Sequence, residues 1–165
     1  MRWITFFCIL FCISLFQSTL MNWINIGIAV PDFYFPLVVF YSFFIDVKRN
    51  VITSWFTGIS KDFFSEGVLG INSIFFVAVG FFIWSIRGML FRGHLLTKIL
   101  VTFVFSIVYN IFYALHTAIT YRSLNISSTI WMIFICSLYT AAVAPFLFFI
   151  FDKLQPTRNL YFMEK

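Results

Sequence analysis

Read for hydrophobic and polar positions, the chain breaks into apolar runs separated by short polar connectors. The runs predict helices over residues 3–20, 33–45, 51–64, 72–89, 99–120 and 128–151, with a polar tail at 153–165. A bilayer span needs roughly 20 apolar residues, so the outer runs are long enough. The second and third are short for a hydrocarbon core of roughly 30 Å, and hydrophobic mismatch or packing inside a protein cluster must accommodate them. A single re-entrant hairpin over 33–64 is the competing reading. Within the runs the polar positions form stripes at helical spacing. The third run carries Ser54, Gly58, Asp62 and Ser65, with Trp55, Phe56, Ile59 and Phe63 around the other side. The fifth carries Thr102, Ser106, Asn110, Tyr113 and Thr117. The sixth has a small-residue face of Ser137, Ala141 and Ala144, and Pro145, which should bend it. Near the end of the first run, Gln17-Ser18-Thr19 and Ser14 should point into the bundle, where partners can satisfy them.

Composition sharpens this picture to an integral membrane protein. Of 165 residues 62% are hydrophobic, 26 are Phe, and only 10% are charged. A soluble domain carries about 25% charge. The expected architecture is an all-α polytopic bundle of six transmembrane helices over residues 1–152. The net charge of +5 is scattered between apolar runs rather than clustered, which argues topology and not nucleic-acid binding. With six spans, Arg2, Lys48, Arg49, Arg87, Arg92, Lys98, Lys153, Arg158 and Lys165 fall on one side, and only Lys61 and Arg122 on the other. This nine-to-two split predicts both termini in the cytoplasm and Asp32, Asp62 and Glu66 near the outer face.

The densest cluster of unusual residues is Gly58-Ile59-Ser60-Lys61-Asp62-Phe63-Phe64-Ser65-Glu66-Gly67-Val68-Leu69-Gly70-Ile71-Asn72. Charge at membrane depth is costly and demands a reason. The stretch reads as a helix end, a sharp external turn at Glu66-Gly67, and a new helix capped by Asn72 or Ser73. Gly67 and Gly70 would set the turn, and Gly58 and Gly80 would let backbones meet.

Catalytic chemistry has no visible foothold. His94 and His116 join no nucleophile, and HExxH, P-loop and Gly-x-Ser-x-Gly patterns are absent from the sequence. Cys8, Cys12 and Cys136 lie within apolar runs without neighbouring ligands for a metal. Asp62 and Glu66, at i and i+4, could form an intramembrane acid pair. The plainer expectation is a hydrogen-bonded Asp62 and a solvated Glu66. No enzyme, cofactor or metal is expected.

The chain resembles the MreD family of rod shape-determining proteins. The resemblance rests on Leu15-Phe16-Gln17-Ser18-Thr19, on the Pro31-Asp32 step before an apolar helix, and above all on residues 58–72 followed by Gly80. It covers residues 1 to about 90; beyond about 98 only the helix plan and length agree. Heavy use of Phe and Glu66 in place of Gly depart from the family pattern. The resemblance implies a non-enzymatic subunit of the bacterial inner membrane with a fold like the substrate-binding (S) subunits of energy-coupling-factor transporters. It implies association with the scaffold MreC and, through it, with MreB, RodA and a class B penicillin-binding protein. It leaves room for a homodimer within that complex. The site it implies is a partner-binding or structural motif of Gln17, Pro31, Asp32, Gly58, Asp62, Ser65, Glu66, Gly67, Gly70, Asn72 and Gly80. The rival expectation is an S-component-like subunit that binds and transports a small solute.

Overall fold

The computed structural model describes residues 3–24, 31–64, 70–89, 95–121 and 126–154. These residues form six helices and no strand: α1 (Trp3–Ile24), α2 (Tyr34–Phe44), α3 (Val47–Phe64), α4 (Ile71–Ile86), α5 (Leu95–Tyr121) and α6 (Ile126–Leu154). Two of them hold stretches long and apolar enough to cross a membrane, Leu95–His116 in α5 and Thr129–Leu154 in α6.

The bundle is assembled around α2. Eleven residues rise only about 16 Å, roughly half of a hydrocarbon core, and all eleven are buried. Such a helix is sealed inside protein rather than held against lipid. Pro36 lies in its first turn, where backbone N–H groups have no partner within the helix. Its aromatic side chains pack edge-to-face against α1, α4, α5 and α6. Phe35 meets Phe76 of α4 and Tyr109 of α5, each with 5.1 Å between ring centres. Tyr41 meets Phe6 of α1 at 5.2 Å, and Phe40 meets Phe151 of α6 at 5.6 Å. Phe therefore fills the core as well as the outer surface of the bundle, where Phe11, Phe63, Phe146 and Phe149 stand exposed.

Around this centre α3 packs against α4, and α5 against α6. The α3–α4 approach is set by two glycines. A Cβ on Gly58 would overlap the Cα of Ser73 and come within 2.9 Å of the Asn72 carbonyl oxygen; a Cβ on Gly80 would overlap the Ser54 hydroxyl. Asn50 locks the same interface from the other end. Its Nδ2 donates to the Gly80 carbonyl at 2.7 Å, and its Oδ1 accepts from Ser42 at 3.0 Å.

The polar stripes mostly hold helices together. Ser54, Gly58 and Asp62 are buried against α4, while Trp55 and Phe63 are exposed. On α5, Asn110 donates to Ser137 of α6 at 3.0 Å, whereas Thr102 donates back to the Lys98 carbonyl of its own helix. Ser137, Ala141 and Ala144 are buried, as a small-residue face requires. Three expectations need correction. On α1, Gln17 and Ser14 are buried but Ser18 and Thr19 are exposed, because successive helical residues turn by about 100°. Lys48, Arg49 and Asn50 are not a connector but the first turn of α3. Arg87 is not a solvated topology charge: it is buried, and its Nη1 donates to the Ile45 carbonyl at 2.6 Å. It thereby satisfies a carbonyl just past the end of α2 that no helical N–H reaches.

Candidate functional site at the α3–α4 corner

The helices alternate in direction, so the end of α1, the start of α2, the end of α3 and the start of α4 meet at one end of the bundle. Asp62 sits at the centre of that end, 3% exposed. Its Oδ1 accepts from the Asn72 backbone N–H at 3.2 Å and the Asn72 side-chain amide at 2.9 Å. Its Oδ2 accepts from the N–H groups of Gly70 and Ser73, at 3.0 and 3.2 Å, and from the Ser73 hydroxyl at 2.7 Å. The carboxylate thus caps α4 from the neighbouring helix, where unpaired N–H groups and the positive end of the helix dipole favour an anion. The expectation that Asn72 or Ser73 caps by accepting is corrected: both lie inside the first turn and donate. The N-cap is Gly70, at φ +100°, with nothing within 4 Å of where a Cβ would stand. Its requirement for glycine is therefore conformational, not spatial. Asn72 extends the network by accepting from the Tyr109 hydroxyl of α5 at 2.7 Å.

A second cluster holds the Pro31-Asp32 step. The Gln17 side chain acts as a substitute backbone: its Nε2 donates to the Pro31 carbonyl at 3.2 Å, and its Oε1 accepts from the Phe33 N–H at 3.1 Å. Thr140 of α6 accepts from the Asp32 N–H at 3.1 Å, and Asp32 Oδ1 accepts from the Tyr34 N–H at 3.0 Å. This irregular segment is tolerable at depth because side chains of α1 and α6 replace the missing ladder. The other Asp32 oxygen pairs with Lys61. The Lys61 ammonium lies 3.9 Å from the Tyr109 ring centre and 5.3 Å from that of Phe76, so aromatic faces complete its surroundings.

The structure therefore brings Gln17, Pro31, Asp32, Gly58, Asp62, Gly70 and Asn72 to one end, and sets Gly80 further down the α3–α4 interface. Ser65, Glu66 and Gly67 lie outside the described residues. Lys61, Tyr109 and Thr140 belong to the site and escape a reading of the sequence. Lys61 counts there only as an outer charge, and the other two reach the corner from distant helices. With both oxygens of Asp62 engaged by five donors, the corner is built for holding helices in register. Among the described residues no three His, Cys, Asp or Glu side chains group as metal ligands.

An all-helical, aromatic-packed bundle with two helices long and apolar enough to cross a membrane, its polar groups tying one helix to the next, has the build of a membrane protein. The chain belongs to the MreD family: residues 1–155 of its 165 match the family described as rod shape-determining protein MreD. Membership carries a role in rod shape determination and a place in the membrane. Neither a curated protein nor a solved structure matches the chain.

Proposed function

We propose that this chain is a six-span, non-catalytic scaffold of the bacterial inner membrane that binds MreC at its extracytoplasmic end, with both termini in the cytoplasm. The observation that carries the reading is the Asp62 cap. Five hydrogen bonds fix the α3–α4 corner, and Phe63, Phe64 and Ile74 project beside it, 74%, 53% and 75% exposed. A rigid corner flanked by apolar side chains suits capture of a partner's transmembrane or juxtamembrane segment, because little conformational freedom is lost on binding. Through MreC the chain would act on MreB, RodA and a class B penicillin-binding protein, and so on peptidoglycan synthesis. In this reading Asp62, Gly70 and Asn72 shape the surface without touching the partner.

The rival reading, a solute-binding subunit like those of energy-coupling-factor transporters, needs open space between the helices at this end. There Lys61, Phe35, Phe76 and Tyr109 pack against one another around the Asp32 ion pair. That self-filling favours the scaffold.

Co-purification with MreC tests the proposal. Phe63→Ala with Phe64→Ala should weaken association at unchanged thermal stability, whereas Asp62→Leu and Gly70→Leu should lower both. Normal association and normal cell shape in all three would end the reading.

A further inference from the structure

A groove of about 370 Å³ runs between α1 and α6. Thr5, Cys8, Cys12 and Ile13 form one wall, and Leu147 and Ile150 belong to the other. Phe16 and Phe33, ring centres 6.1 Å apart and edge-to-face, close one end. Thr5 and Leu154 mark the opposite end, and the exposed Lys153 stands next to Leu154 in the last turn of α6. The groove is thus apolar along its length, with Lys153 beside its Leu154 end and the acidic neighbour Asp152 acting on Lys98 of α5.

Its dimensions choose the occupant. From Thr5 to Phe16 the α1 wall rises about 16 Å, which matches one leaflet of a hydrocarbon core roughly 30 Å thick. A helix 10–12 Å across with its side chains would fill about 1,300–1,800 Å³ over that length, more than a groove of about 370 Å³ can take in, so what lies fully within it is thinner than a helix. We propose that the α1–α6 groove is a binding site for one acyl chain of a membrane phospholipid, with the headgroup phosphate beside Lys153. Bulk lipid is as apolar as the walls, so no hydrophobic gain drives entry. Retention comes from dispersion contacts along walls that would otherwise face a void, and from the cation at the end. The inference needs only the chain's place in the membrane, and is independent of MreC.

The test uses the full chain in vesicles of phosphatidylethanolamine and phosphatidylglycerol, doped with a phosphatidylglycerol that bears a diazirine on its acyl chain. After illumination, adducts should concentrate on residues 5–16 and 146–154. Cys12→Trp, which fills the groove from its exposed wall, should abolish them. So should Thr5→Trp at the other end, with melting temperatures unchanged. Leu100→Trp on the lipid-facing side of α5 should leave them intact. Adducts spread evenly over the outward faces of α1, α5 and α6, or adducts that survive both groove-filling changes, overturn the proposal. Adducts in this window that vanish when MreC is present would make the occupant a protein helix and overturn it equally.

Discussion

At the scale of single residues, the two interface glycines look alike in the sequence and differ in what surrounds them. Gly58 faces main chain, the Cα and N of Ser73 and the Asn72 carbonyl, so an added methyl can be accommodated only by moving α4. Gly80 faces a side chain, the Ser54 hydroxyl and its Cβ. Gly58→Ala should cost about 1–3 kcal/mol, and truncating Ser73 should not restore it. Gly80→Ala should cost a similar amount, and Ser54→Gly in the same chain should recover part of it. Thermal unfolding of the four variants in detergent checks this, and equal rescue at both positions would contradict it. Asp62 makes a sharper case. Asp62→Asn puts an amide nitrogen against N–H donors and should cost about 2 kcal/mol, even though its shape is unchanged. If Asp62→Asn is as stable as the parent, the cap is not what holds this corner.

At the scale of elements, the question is what keeps α2, a helix of eleven residues, in its place. Its start is held by Gln17, Thr140 and the Asp32–Lys61 pair, and its end by Arg87. Lys61 and Asp32 are only 13% and 16% exposed, so removing either partner leaves a charge poorly solvated. Lys61→Met or Asp32→Asn alone should destabilise by about 3 kcal/mol. The double variant should cost less than the sum, with a coupling of about 1–3 kcal/mol. The introduced asparagine would still accept from the Tyr34 N–H, and the introduced methionine would keep the aromatic packing, so the cycle isolates the ion pair. Strict additivity would show that the pair does not clasp α2 to α3. This clasp also marks the limit of what the sequence discloses. The buried acid at Asp62 and the close-packing glycines can be read locally, because a charge or a glycine in an apolar helix is conspicuous where it stands. The partner of Lys61 lies 29 residues away, and Tyr109 lies 37 from Asn72. No periodicity within one helix records which face of another it meets. The start of α3 is hidden for a related reason. Lys48 and Arg49 look like a connector, yet Asn50 beside them is completely buried and bonds to α4.

For the whole molecule, the alternation of helix directions divides the chain's polar chemistry between two ends. One carries Gln17, Asp32, Lys61, Asp62 and Asn72, nearly all of it paired within the protein. The other carries the exposed Lys48 and Arg49, with the Lys98 ammonium 4.4 Å from the Phe44 ring centre. Lys and Arg flanking membrane spans bias a chain's orientation toward the cytoplasm, and the second end, with Lys48, Arg49 and Lys98 against Lys61 at the first, holds more of them. In a background with Cys8, Cys12 and Cys136 replaced by Ala, Phe63→Cys should react in intact cells with a membrane-impermeant maleimide. Lys48→Cys should react only after the membrane is opened. Neither side chain is buried, so burial cannot explain a difference between them. The reverse pattern would turn the molecule over. It would put the Asp62 corner on the cytoplasmic side, and with it remove the proposed site for MreC from the extracytoplasmic face.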